Sequence, residues 1–144
     1  MTAAAQTPER EVHPTLVAIS VMLATIMQAL DTTIANVALP HMQGSLAATQ
    51  DQISWVLTSY IVAAAITMPA TGFIAAKIGR KRLLLISISG FIVTSMLCGI
   101  ALSLEQMVIY RLLQGVFGAS LVPLSQAVLL DSYPKEKHGA AMAM

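Results

Sequence analysis

Charge is scarce in this chain. Of its 144 residues only 10% are Asp, Glu, Lys or Arg, against 56% apolar, whereas a soluble domain carries about 25% charged residues. So few polar groups could not cover the surface of a water-soluble fold. The 8 basic and 7 acidic residues nearly cancel, which excludes a nucleic-acid binder with its basic patch or stripe. The single cysteine, Cys98, excludes a disulfide framework and any CxxC metal site. His13, His41 and His138 are scattered without metal-ligand spacing. No nucleophile–base pair, P-loop or GxGxxG run occurs, so neither an enzyme nor a cofactor-binding protein is expected, and no metal site. What remains is an integral membrane protein.

The charges that do occur define the spans. Val12–Leu30, Thr32–Gln50, Gln52–Ala76, Leu83–Leu104 and Leu112–Leu130 hold no Asp, Glu, Lys or Arg, with Asp31 alone between the first two. A membrane helix needs about 20 mostly apolar residues. The spacing predicts spans over about 15–39, 53–76, 83–103 and 106–130, in an all-α, polytopic transmembrane bundle. Helices are required because a backbone in hydrocarbon must satisfy its own hydrogen bonds, and the alternation of a membrane β-strand is absent. Pro14 suits the first turn of helix 1, Pro40 is expected to follow that helix, and Pro134 to stop helix 4. Asp51 reads as the cap of helix 2 beside an interfacial Trp55. Pro69 and Pro123 fall inside spans and are expected to kink them.

Basic residues set the orientation. Lys77, Arg80, Lys81 and Arg82 lie between helices 2 and 3, Lys135 and Lys137 follow helix 4, and Arg10 precedes helix 1, while the 1–2 and 3–4 connections hold no Lys or Arg. The positive-inside rule puts the amino terminus, the 2–3 loop and the segment after helix 4 in the cytoplasm. The plasma (bacterial inner) membrane is the expected location. Residues 1–14 read as a short cytoplasmic tail, without the basic n-region of a signal peptide, and 15–144 as the membrane bundle. Gly139–Met144 reads as the start of a fifth helix, so the chain reads as the amino-terminal part of a longer protein.

Polar residues inside the spans are the functional candidates. Gln28, Asp31, Thr32 and Asn36 fall within roughly 140° of arc on helix 1. A carboxylate at mid-membrane costs at least about 2.5–3.5 kcal/mol on insertion scales, so it normally faces a partner or a water-filled cavity. Asp31 therefore reads as a proton-titrating or cation-recognising acid, or else as one fixed by a salt bridge or hydrated near the outer surface. On helix 4, Arg111, Gln114, Gly115 and Gly118 share one face at i, i+3, i+4 and i+7. At roughly 1.5 Å per residue, Asp31 and Arg111 both lie about 9–13 Å below the outer boundary. They can pair or share a cavity; the other reading has Arg111 snorkelling to the interface. Gly115 and Ala119 form a small-xxx-small pair that permits close helix contact. Met22, Met27, Met68, Met96 and Met107 read as lipid-facing or core residues, and Cys98 as inert.

Three segments resemble a known family. Leu30–Pro40 (LDTTIANVALP) resembles the first-helix motif of multidrug transporters in the major facilitator superfamily. Gly72–Arg82 (GFIAAKIGRKR) is similar to that superfamily's signature between helices 2 and 3, with Ala76 where the signature has an acid. Tyr110–Ala119 (YRLLQGVFGA) is similar to its helix-4 motif. The first motif, with Val122–Ala127 (VPLSQA), is most like the fourteen-span drug:proton antiporters of the EmrB/QacA type.

The resemblance implies export of small amphipathic compounds driven by inward proton flow, with Asp31 and Arg111 as coupling residues. It implies that Gly72, Gly79, Arg80 and Lys81 form a cytoplasmic conformational latch; Gly115, Gly118 and Ala119, from their own spacing, read as helix-packing residues. The partners it implies are the lipid bilayer, protons, amphipathic substrates and the rest of a longer transporter. A facilitator of another solute, such as a metabolite or siderophore, is the same-fold alternative. A self-assembling four-helix membrane protein is the alternative of another class.

Overall fold

Long apolar runs with no period-two alternation leave the α-helix as the backbone conformation that hydrocarbon tolerates, and helices are what the chain forms. The computed structural model describes residues 14–132. These form α1 (Pro14–Ser45), α2 (Gln50–Ile78), α3 (Arg80–Gly99), α4 (Leu104–Gly118) and α5 (Leu121–Ser132). Four segments are long and apolar enough to cross a membrane: Thr15–Ser45, Gln50–Ile78, Arg80–Gly99 and Leu104–Asp131. The expected cytoplasmic tail, Lys135, Lys137 and the expected fifth helix lie outside the described residues.

The helix ends show where the local rules were outweighed. α1 continues through Pro40 to Ser45 instead of stopping at 39. A proline removes only its own N–H from the ladder, and membrane helices tolerate that loss. The cap of α2 is Thr49, not Asp51. The Thr49 hydroxyl accepts from the Gln52 amide at 3.4 Å, and the Gln52 side chain accepts from the Thr49 N–H at 3.0 Å. This reciprocal pair satisfies two otherwise orphaned donors, which a carboxylate at Asp51 could not do. Ser103 caps α4 in the same position, accepting from the Gln106 amide at 3.3 Å.

α3 begins at Arg80, so the basic cluster is helical instead of looped. One residue, Gly79, separates α2 from α3, at φ +91°. Only glycine adopts that conformation without strain, and it reverses the chain between two spans.

The fourth span is broken. Instead of one helix over 106–130, α4 and α5 are separated at Ala119–Ser120. Pro123 has no N–H to offer the Ala119 carbonyl one turn earlier, so the ladder has a gap there. The gap coincides with a change of neighbours. α4 packs chiefly on α2 and α3, whereas α5 packs chiefly on α1. The Ser120 hydroxyl bridges the break, bonding the Phe117 carbonyl and the buried Ser87 hydroxyl of α3.

Packing follows from small residues. A Cβ on Gly115 would lie 2.4 Å from the Tyr60 carbonyl oxygen and 3.0 Å from the Ala63 Cβ, so α4 meets the α2 backbone directly. A Cβ on Gly118 would come within 2.8 Å of the Tyr60 hydroxyl, and one on Gly90 within 2.4 Å of the Phe117 ring. Around these contacts, Phe91, Leu121, Leu124, Leu83, Leu84 and Ala75 form the largest apolar cluster. Ile53, Val56 and Met107 close one end, and Ala18, Val21 and Leu129 the other. Outside this core the bundle carries Leu16, Leu23, Ile34, Ile66, Phe73 and Met96 exposed. Such apolar surface suits a bilayer and would not suit water.

The Gly115 contact makes a direct prediction. Gly115→Ala should lower the thermal midpoint by forcing α2 and α4 apart, a cost of about 1–3 kcal/mol typical of overpacking. Gly44→Ala, where nothing lies within 4 Å, should be neutral or stabilising by up to about 1 kcal/mol. Melting of both variants in detergent micelles checks the contrast; equal midpoints would refute the close approach.

Candidate functional site

Three helices bring polar side chains to one place inside the bundle. Arg111, on the inner face of α4, donates from Nη1 to Asp31 Oδ2 of α1 at 2.8 Å. Gln114, one turn further along α4, donates from Nε2 to Asp31 Oδ1 at 2.8 Å and accepts on Oε1 from Arg111 Nη1 at 3.0 Å. Both carboxylate oxygens are thus engaged, one by charge and one by an amide. The same Gln114 Oε1 accepts from the Cys98 thiol of α3 at 3.6 Å.

The site is dry. The side chains of Arg111 and Asp31 are 7% and 12% exposed, and Gln114 is fully buried. Arg111 therefore does not snorkel. The i, i+3 spacing on α4 aims Arg111 and Gln114 at one carboxylate, and the matched depth of Asp31 on the antiparallel α1 makes the contact reachable.

The rest of the polar stripe on helix 1 divides at this point. Gln28, one turn from Asp31, lies inside the bundle, where its Nε2 donates to the Tyr60 hydroxyl of α2 at 3.1 Å. Thr32 and Asn36 are exposed and bond their own helix, donating to the carbonyls of Gln28 and Thr32 at 3.0 and 2.9 Å. A step of 100° per residue turns Thr32 away from the face that Asp31 occupies. The network thus joins Asp31, Arg111 and Gln114, with Gln28 beside it, and leaves Thr32 and Asn36 outside.

Tyr60 is the residue that sequence reading passed over. Its ring and hydroxyl sit where α1, α2 and α4 converge, against Gln28 and Gly118. The available signal was a tyrosine in mid-span, because a buried phenol hydroxyl needs a partner.

The residues of the 2–3 signature lie elsewhere. Gly72 faces open space, Gly79 makes the chain reversal, and Lys81 is exposed. Arg80 forms an ion pair with Asp131 at the end of α5. This pair is half-exposed, so it contributes at most about 1 kcal/mol. It ties the α2–α3 turn to α5, with an acid from the fourth span where Ala76 has none. Gly115 lies against α2 and Gly118 against α2 and α3, and Ala119, just past the end of α4, is buried as well. Among the described residues no group of three or more His, Cys, Asp and Glu side chains could hold a metal ion.

Comparison with known proteins puts this geometry in context. Residues 21–144 match the family described as the Major Facilitator Superfamily. The chain is 50% identical over 128 residues to Multidrug export protein EmrB of Haemophilus influenzae, covering 89% of this chain and 25% of that protein. It is 47% identical over 128 residues to Fatty acid resistance protein FarB of Neisseria gonorrhoeae, with the same coverage of 89% and 25%. Against Multidrug export protein EmrB of Escherichia coli (strain K12) the identity is 41% over 139 residues, 96% of this chain and 27% of that protein. The chain thus spans about a quarter of the length of the curated relatives it matches.

Removing one member of a buried pair leaves the other charge uncompensated, which typically costs 3–5 kcal/mol. Arg111→Met alone should therefore lower the melting temperature and membrane yield sharply. Arg111→Met combined with Asp31→Asn should recover much of the loss, because no lone charge remains. Thermal melting of the single and double variants measures this, and strict additivity would mean that the two groups do not depend on one another.

Proposed function

The chain belongs to the Major Facilitator Superfamily, and we propose that it forms the first membrane helices of a proton-coupled exporter of small amphipathic compounds. The observation that carries the proposal is the buried Asp31–Arg111 pair, held by Gln114 among four apolar spans. A charge pair in a dry interior is weak evidence for stability, since well-packed apolar residues often do as well, and intramembrane ionisable residues mark ion and substrate pathways by default. Asp31 is the acid among the spans whose charge is fully committed to a partner. Protonation removes the charge that Arg111 answers, so loading one proton and breaking the ion pair become the same event. The names of the relatives, multidrug export and fatty acid resistance, suit an amphipathic substrate class.

In this reading the bundle supplies one wall of a transport path, and the remaining wall comes from further helices, as transporters of this kind place their sites between structural repeats. The chemistry on this side is proton exchange at a carboxylate, with no covalent step. The orientation proposed is a cytoplasmic amino terminus in the plasma membrane, since the Lys77–Arg82 cluster joins α2 to α3 while the turns at 46–49 and 100–103 carry no basic residue. Residues 77–82 and 131–139 are then cytoplasmic.

Two measurements test the proposal in the complete transporter that carries these residues. Asp31→Asn should abolish dye efflux driven by an imposed pH gradient when efflux is normalised to the amount of protein in the membrane, because Asn keeps the shape but cannot carry the proton, although it leaves Arg111 uncompensated. On the same per-molecule basis, Asp31→Glu should retain part of the activity and Arg111→Ala should lose most of it. Wild-type efflux from Asp31→Asn would reduce Asp31 to a structural acid. For orientation, in a Cys98→Ser background, an impermeant thiol reagent applied outside cells should modify Gln43→Cys and spare Arg80→Cys. The reverse pattern would invert the topology.

A further inference from the structure

Two buried polar atoms at the ion-pair site have no hydrogen-bond partner among the described residues: the Nε of Arg111, a donor, and the Oε1 of Gln28, an acceptor. Buried groups of this kind are normally satisfied, and each exception calls for a reason. Here the two exceptions are complementary, and they lie on the two helices that the Asp31–Arg111 pair joins.

Arg111 is held loosely for so buried a cation. The strong arrangement between guanidinium and carboxylate is bidentate, with two nitrogens on two oxygens. In this structure the bonds to both Asp31 and Gln114 leave from the single Nη1 atom, because the Gln114 amide occupies the second carboxylate oxygen. The guanidinium is anchored at one corner, and its Nε faces no acceptor.

Gln28, in contrast, is held firmly with its acceptor free. It lies three residues before Asp31, one turn along the same face of α1. Its Nε2 donates to the Tyr60 hydroxyl at 3.1 Å, and that hydroxyl lies where a Cβ on Gly118 would crowd it. The amide is thus oriented from α2, leaving a carbonyl oxygen with no donor. The titratable groups that bear on Asp31 are Arg111 on α4, Tyr60 on α2 and Cys98 on α3. Of these, only Arg111 carries a charge that must be answered if Asp31 becomes neutral.

We propose that the Gln28 carboxamide, oriented by Tyr60, is a second seat for the Arg111 guanidinium, taken when Asp31 binds a proton. The proton adds to the carboxylate, the ion pair breaks, and Arg111 remains a cation in a dry interior. Moving about one helical turn along α1, roughly 5 Å, lets its free donors meet the Gln28 carbonyl oxygen. Both orphaned atoms are satisfied in that arrangement. The arginine then alternates between an ionic seat and a neutral dipolar one, so that proton loading moves a side chain of α4 along α1. This rests on the reading of Asp31 as the proton carrier.

A mutant cycle in the complete transporter tests it, because Asp31→Asn imitates the protonated acid. Gln28→Leu should lower the melting temperature about 2–4 °C further in the Asp31→Asn background than in the wild type, since only there does Arg111 depend on Gln28. Adding Arg111→Ala to the Asp31→Asn protein should abolish that excess. Tyr60→Phe, which keeps the ring and removes the hydroxyl, should show the same background dependence in weaker form. An equal cost of Gln28→Leu in both backgrounds overturns the second seat. The two readings separate cleanly. If Asp31→Asn exports normally while the melting excess persists, the coupling role fails and the seat stands. If export is lost without any melting excess, the seat fails and the coupling role stands.

Discussion

An aspartate and an arginine separated by eighty positions in the chain cannot both be buried in a membrane bundle unless they meet. Each alone would carry a desolvation cost of several kcal/mol, and that constraint organises the structure around it. α1 and α4 must run antiparallel with Asp31 and Arg111 at one depth, near enough for the two long side chains to meet although the helices themselves scarcely touch. α4 must approach α2 closely enough to bring its polar face inward, and Gly115 and Gly118 permit that approach. Gln114 then fills the remaining carboxylate oxygen. The register of three spans follows from the placement of two charges.

The apolar surroundings make the pair responsive. In water an ion pair is exchanged for hydration at little cost, whereas here the alternatives are a few fixed dipoles. Gln114, Cys98, Gln28 and Tyr60 are among the polar groups of this part of the bundle, and each comes from a helix that packs on another. Polar side chains from all four spans thus gather near Asp31. Away from the pair, the serine bridge between Ser87 and Ser120 and the exposed Arg80–Asp131 pair hold α3 and α5 without involving the carboxylate.

Much of this was legible in the sequence because charge and hydrocarbon exclude one another. Gaps between charges located four spans, and the equal depths of Asp31 and Arg111 made their contact reachable before any coordinates. The i, i+3 relation of Arg111 and Gln114 placed them on one face. Other features were hidden for physical reasons. Pro40 reads as a stop, yet a membrane helix absorbs one missing donor. The Thr49–Gln52 box was visible as spacing, but a carboxylate at Asp51 competed for the same role. Serines fit anywhere in a span, so the Ser87–Ser120 contact carried no signal. Arg80 and Asp131, fifty-one positions apart, become neighbours only through the topology. Tyr60 needed the convergence of three helices to show its place.

The break at Ala119–Ser120 divides the allegiance of a single span. Upstream of it, a change of side-chain volume at Gly115 is felt by Tyr60 and Ala63 of α2; downstream, one at Leu129 is felt by Ala18 and Val21 of α1. With no donor at Pro123 the ladder lacks one bond at the join, and the two segments lean chiefly on different neighbours. The fourth crossing thus works as two short rods in series, and the tolerance of a substitution there depends on which rod it lies on rather than on its depth in the bilayer.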